Sequence, residues 1–349
     1  MIDVERMTRE TKIADKDMVP AQLFNYWCEI FDSADRRPFV ISARHGGVVT
    51  ETLSFIIIDR PFGRFLFSMP FIGYGCCFDT VNTDDAKAIL KELEDLARQE
   101  DCLTMSISTH PLQTLDINKV WDAPYAIKNY CQMLDVTEHP FNMMSSKRRN
   151  AFRNETQYVK KRSSFFIDND PDRACFDKWY KVYLKLSEEQ NSVPQRKDLF
   201  EKYWKMPRTD IDFWVLRNDQ EVAGGIFFAK GKGITDYNTS AFDSKFKELC
   251  CTTHVLDAYF SNMAKNGGRF FNMQSSKKFQ DGTYRYKERW GAELRWHDIV
   301  SKNLVDLQSI TCIPLETIKN ELPGCFVLPY SLWDPREKGK GATMRGEKE

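Results

Sequence analysis

Three runs decide the fold: Ile211-Asp212-Phe213-Trp214-Val215-Leu216-Arg217, Glu221-Val222-Ala223-Gly224-Gly225-Ile226-Phe227-Phe228-Ala229, and Ile234-Thr235-Asp236-Tyr237-Asn238-Thr239-Ser240. They are rich in β-branched and aromatic residues. Asn218-Asp219 separates the first two, and Gly231 and Gly233 separate the last two. That pattern predicts three strands joined by tight connections. Downstream, Val255, Leu256, Tyr259, Phe260 and Met263 recur at helical spacing and stop at Asn266-Gly267-Gly268, predicting a helix ended by glycine. Residues 269–273 read as a further strand.

The same order occurs once before. Residues 38–44 and 48–58 read as a hairpin across Gly46-Gly47, and residues 65–69 as a third strand ending at Pro70. Gly73-Tyr74-Gly75 follows as a turn. Thr83 is expected to cap a helix carrying Ile89, Leu90, Leu93, Leu96 and Ala97 on one face and ending near Glu100; residues 102–108 are then a strand. Two copies of one strand, strand, strand, helix, strand unit make an α/β (α+β) fold by duplication. A helix over residues 19–32, with Leu23, Phe24, Trp27 and Phe31 at helical spacing, precedes the first copy. Between the copies lies a helical insertion, basic over residues 145–162 and amphipathic over 171–189 and 195–205. The expected division is 1–144, 145–334 with the insertion at 145–205, and a disordered Gly- and charge-rich tail at 335–349.

Composition sets outer limits. The chain has 349 residues, enough for about two domains. Fifty Lys and Arg balance fifty Asp and Glu, which excludes a globally basic nucleic-acid coat protein and an acidic disordered one. Aromatics reach 13%, so broad apolar cores or aromatic-lined clefts are expected. Residues 1–17 are charged and lack a signal-type apolar core. The apolar run Ile56-Ile57-Ile58 is closed by Asp59 and Arg60, far short of the ~20 residues of a membrane span. The ten Cys are irregularly spaced, arguing for reduced thiols and a soluble cytoplasmic protein.

Chemistry-bearing motifs are sparse. There is no Gly-x-Ser-x-Gly elbow, Walker loop, His-Glu-x-x-His or Cys-x-x-Cys, and the five His are scattered, so no metal site is expected. His254 reads as a packed or surface histidine or, less simply, a catalytic one. The densest basic run is Lys147-Arg148-Arg149, Arg153 and Lys160-Lys161-Arg162, with Glu155 the one acid among them. On a helix Arg149 and Arg153 share a face. The run is either a seat for phosphates of a nucleotide or an RNA end, or a solvated helix face.

The most informative motif is Asp281-Gly282-Thr283-Tyr284-Arg285-Tyr286-Lys287-Glu288-Arg289-Trp290-Gly291-Ala292-Glu293. Here the sequence resembles the FemABX transferases, built from two GNAT-like domains. Pro70-Phe71-Ile72-Gly73-Tyr74-Gly75, Ser146-Lys147-Arg148-Arg149-Asn150, Val222-Ala223-Gly224-Gly225 and Asp236-Tyr237-Asn238 resemble further family segments, in the same order. Cys76 stands where a second glycine is usual. The resemblance implies two tandem GNAT-like domains and transfer of an aminoacyl group from aminoacyl-tRNA to an amine. The acceptor would be a small molecule or a peptidoglycan-precursor-like amine.

On that reading Lys287 is the cation for a developing oxyanion or an RNA phosphate, or else a structural partner of Glu288 or Glu293. Arg148, Arg149 and Arg153 would bind phosphate. Tyr74, Tyr237 and Tyr286 would bound the substrate cleft; buried core tyrosines are the alternative. The rival donor is an acyl-CoA. GNAT enzymes cradle its pyrophosphate on backbone N–H groups of a Gly-rich loop before a helix. The corresponding stretches here, residues 243–250 and 77–83, contain no glycine, so no bound CoA cofactor is expected. A non-catalytic binding or scaffold protein with the same fold is a third reading.

Overall fold

The computed structural model describes residues 1–6, 11–23, 26–68, 74–276 and 280–322. Along the chain run β1 (Ile2–Arg6), α1 (Tyr26–Phe31), β2 (Arg36–His45), β3 (Val48–Arg60), β4 (Gly63–Phe67), α2 (Thr83–Gln99), β5 (Cys102–Ser108) and β6 (Tyr125–Asp135). Then come α3 (Ser146–Arg162), β7 (Phe166–Asp168), α4 (Arg173–Glu189), α5 (Lys197–Lys205), β8 (Ile211–Arg217), β9 (Val222–Lys230) and β10 (Ile234–Phe242). The chain continues with α6 (Cys251–Lys265), β11 (Phe270–Asn272), α7 (Gly282–Arg289), β12 (Glu293–Asn303), α8 (Gln308–Thr311) and α9 (Leu315–Glu321).

Two compact units emerge, Met1–Cys131 with Arg295–Glu349, and Gln132–Leu294. In the first, the strand order is β1-β2-β3-β4-β5-β12. Its neighbouring strands pair antiparallel except β4 with β5. In the second, the order is β6-β11-β10-β9-β8-β7, antiparallel except β10 with β11. Each unit therefore carries an antiparallel meander, a crossover helix and a parallel strand, the duplication that the sequence predicts. The crossover is needed because a parallel neighbour cannot be reached by a hairpin.

Each unit has its own core. Ile89, Leu90, Leu93 and Ala97 of α2 pack on Phe55, Ile57, Leu66, Met105 and Ile107. In the second unit Val255, Leu256, Tyr259 and Phe260 of α6 pack on Trp214, Phe228 and Phe271. The basic α3 joins that core through Phe152 and Val159, and Phe152 stacks on Trp290 at 4.2 Å.

Several expectations are corrected. The helix expected over 19–32 is a 3-10 turn at Ala21–Leu23 followed by the short α1. Thr83 is the first helical residue of α2; the capping position is Asn82, and the Thr83 hydroxyl donates to Thr80 O. The edge strand β1, the long strands β6 and β12, and the helix α7 escape the sequence reading. The expected boundary after residue 144 differs from the division found: the units part within β6, and residues from Arg295 onward return to the first unit. The expected tail at 335–349 and the Pro70–Gly73 part of the resemblance lie outside the described residues. Among the described residues, no helix is long and apolar enough to cross a membrane. Cys76, Cys77, Cys102, Cys131, Cys175, Cys250, Cys251 and Cys312 are free thiols.

Candidate active site

The parallel pair in each unit behaves differently. In the first unit it is closed. Past Phe67, Ser68 N donates to Ser106 O, Gly75 N to Ser108 O, and His110 N to Cys76 O. A Cβ on Gly75 would lie 2.1 Å from Ser68 Cβ, so only glycine allows this re-entry of the chain. In the second unit the pair opens. β10 and β11 are in register for three pairs, ending at Asp236 with Asn272. Beyond that β10 runs on to Phe242 paired only with β9, its register broken at Asn238, while the β11 chain turns away through Gln274. The result is an opening, the V, between two arms that share no ladder past that pair.

No protein-family model matches the chain, and no curated protein sequence does. Solved structures do. FemX aligns with a TM-score of 0.64, covering 79% of this chain and 91% of its own at 11% identity. The chain has the fold of FemX. The C-terminal domain of a protein assigned as a lysylphosphatidylglycerol synthetase, from Agrobacterium fabrum, aligns at TM-score 0.58 over 88% of this chain and 95% of its own, with 10% identity. L-PGS from Bacillus licheniformis aligns at 0.51 over 89% and 98%, with 11% identity.

On this FemX-like frame the predicted site residues fall in three places. Lys287 is on α7, whose start is capped by Asp281 accepting from Tyr284 N at 2.7 Å. Its side chain is 7% exposed. Its ammonium donates to Gln274 O at 3.0 Å and Ser275 O at 2.7 Å, on the rim of the V. Glu288 pairs with Arg285, and the Lys287 ammonium holds these two main-chain carbonyls, a contact that the sequence reading does not include.

Tyr237 is the first β10 residue past the last parallel pair, packed against Phe228 and Phe271. Burial pushes its phenol up to about 12. Tyr286 on α7 reaches Thr253 in the first turn of α6, the two oxygens 3.2 Å apart, and burial raises its phenol too. Both phenols stay protonated at neutral pH and can donate hydrogen bonds. Tyr74 is elsewhere, in the first unit, buried between the edges of His110 and His297 at 4.9 and 5.1 Å.

Arg148, Arg149 and Arg153 lie on α3, with Arg148 and Arg153 exposed and Arg149 half-buried. Ser145 caps this helix. Its first turn contains no acid. Glu155, the acid within the run, is drawn away: it accepts from Arg289 Nη2 at 2.5 Å and from the Thr253 hydroxyl at 3.0 Å. Lys147, Arg148, Arg149, Arg153, Lys160 and Lys161 make no ion pair among the described residues. Cations at a helix N-terminus oppose the macrodipole, at about 0.3–1 kcal/mol each. Lys147, Arg148 and Arg149 accept that cost together, while Lys160 and Lys161 sit favourably at the other end.

The stretch before α6 is a 3-10 turn, Ser244–Leu249, followed by Cys250 in the left-handed region at φ 52°. Its amides are consumed locally: Lys245 N donates to the Asp243 carboxylate, Phe246 N to Asp243 O and Cys250 N to Lys247 O. Before α2, Phe78 N donates to Gln113, Thr80 N to Thr114, and Val81 N and Asn82 N to Asp79. The residues that sequence reasoning missed are Asp236, Asn272 and Gln274, which line the apex of the V. The signal available was a carboxylate inside a run of strand residues, which a periodicity argument passes over. His254 is buried on α6, its charged form disfavoured by burial and by Lys160. Among the described residues no cluster of His, Cys, Asp or Glu could hold a metal ion.

Proposed function

We propose that this protein is an acyltransferase that moves an aminoacyl group from aminoacyl-tRNA to an amine, forming an amide bond. The observation that carries the reading is the first turn of α3. Three cations there, with Arg153 one turn on, have no acidic partner and work against their own helix, an arrangement that phosphate would relieve. The opened V of the second unit supplies a place for the ester. An amine nitrogen attacks the ester carbonyl, a C–N bond forms, the C–O bond breaks, and the proton lost by the amine ends on the released ribose oxygen. Such aminolysis depends chiefly on alignment and on donors near the developing oxyanion. Tyr237 and Tyr286 are the protonated donors beside the V, and Lys287 holds its rim. The acceptor is a small-molecule or peptidoglycan-precursor-like amine. Against an acyl-CoA donor stand the turns before α6 and α2, whose amides are already spent on side chains and carbonyls.

The test is transfer of labelled amino acid from a panel of charged tRNAs to amine acceptors by the purified protein, with acetyl-CoA binding measured in parallel by calorimetry. Transfer without tight CoA binding is expected. Low-micromolar binding of acetyl-CoA competed by free CoA, with no tRNA-dependent transfer, would replace the donor.

A further inference from the structure

The V has to be held at a fixed opening, and main-chain bonds between its arms end at its apex. Side chains take over there. Asn272 Nδ2 donates to Asp236 Oδ1 at 2.7 Å, and Gln274 Nε2 donates to the same oxygen at 3.1 Å. Asn272 Oδ1 in turn accepts from Gln274 N at 2.9 Å. Asp236 and Asn272 are 1% and 0% exposed. Gln274 is in the left-handed region at φ 61°, which a residue other than glycine adopts only with strain. Its carbonyl is held by Lys287 Nζ and, at 3.3 Å, by Gln132 N; the Gln132 side-chain Nε2 donates to Tyr284 O of α7 at 3.1 Å. A buried carboxylate on β10, two amides from the β11 arm and an ammonium from α7 thus form one connected network.

We propose that Asp236 is the positioning residue of the cleft. By gathering Asn272 and Gln274 onto one oxygen it sets the separation of β10 from the β11 arm, and so the attack geometry for an ester lying in the V. Lys287 acts through the same network, by holding the Gln274 and Ser275 carbonyls, and not by contact with the substrate. The inference rests on the acyl-transfer reading for its kinetic arm alone; the structural arm stands apart from it.

The experiment compares wild type, Asp236→Leu and Asp236→Asn. Hydrogen exchange is followed at Gln274 and Gln132, with strand β9 as the reference for global opening. Transfer kinetics are measured on the same samples. Asp236→Leu should speed exchange at Gln274 and Gln132 by about tenfold or more relative to β9, the worth of one or two lost hydrogen bonds. It should lower kcat by at least about tenfold with KM for aminoacyl-tRNA within about threefold, because α3 is untouched. Asp236→Asn keeps an oxygen acceptor and should recover most of both losses. Exchange in Asp236→Leu that matches wild type, or that rises equally in β9, overturns the proposal. So does an Asp236→Asn protein with native exchange but the kcat of the leucine variant, which would make the charge itself catalytic. If wild type transfers nothing from any charged tRNA while the leucine variant still loosens Gln274 selectively, the aminoacyl reading fails and the clamp stands.

Discussion

His110 and His297 are both held neutral by burial, with pKa values lowered to about 3 and about 4. The imidazoles are 1% and 5% exposed, and His110 Nε2 and His297 Nδ1 have no hydrogen-bond partner to welcome a proton. In the unfolded chain each titrates near its ordinary value of 6.5. Because the folded values are the lower ones, the unfolded state binds more protons in the window between them. Stability is therefore full above about pH 6.5, falls as the pH drops, and stops falling only below the folded values. Between pH 7 and pH 5 each histidine removes about 2 kcal/mol, about 4 kcal/mol for the pair. The assay is denaturant unfolding of wild type, His110→Gln, His297→Gln and the double variant at both pH values. Each substitution carries its own packing cost, but that cost cancels in the difference between the two pH values for one protein. Each single variant should lose about half of the wild-type pH dependence in this range, and the double variant most of it. A double variant with the wild-type slope, or histidine ring protons that titrate near 6.5 in the folded protein, would refute the reasoning.

Replacing Arg148, Arg149 and Arg153 by Ala should weaken tRNA binding and reduce the slope of log Kd against log salt by about 2–3, one counterion for each lost phosphate contact; an unchanged slope would leave α3 a solvated face. Lys287→Met keeps the stem but strips the donor from two carbonyls, and should lower the unfolding free energy by about 2–4 kcal/mol in urea denaturation. Gly75→Ala should cost at least about 2 kcal/mol, read as a drop in Tm, since its Cβ would meet Ser68 Cβ at 2.1 Å and Ser54 O at 2.6 Å. Gly46→Ala, with nothing within 4 Å, would be strained by its positive φ alone and should cost less.

The repeated meander was legible because its strands alternate with unmistakable turn residues and its two helices carry long apolar faces, as at Ile89 to Ala97. β1 was not, since only Ile2 and Val4 alternate with its charges, and a half-exposed edge needs no more. β12 hides for a related reason: its buried positions include the polar residues His297 and Ser301, which a hydropathy pattern passes over. The unit boundaries were illegible because a linear reading assumes that each unit is one continuous piece. At the site, the family-like segment pointed to Lys287 and the basic run to α3. What Lys287 touches was invisible: a lysine that caps two carbonyls and one that faces solvent have the same letter and neighbours. Asp236 was likewise unreadable, because its partners sit on a strand more than thirty residues away, Asn272 being 36 positions on.

The interruption of the first unit by the second has a consequence for synthesis. β5 acquires its β12 neighbour from residues far down the chain; Ser106 and Ser301, whose hydroxyls meet at 2.7 Å, are 195 positions apart. At about 5–20 residues per second, β5 waits roughly 10–40 s with one edge uncovered, while residues 132–294 emerge and can complete their own unit. An uncovered strand edge is a template for pairing with other chains. The nascent protein is thus most exposed to aggregation and to chaperone capture in that interval. A premature stop just after Leu294, where β12 has barely begun, would yield a chain whose later-made half is finished and whose earlier-made half never closes.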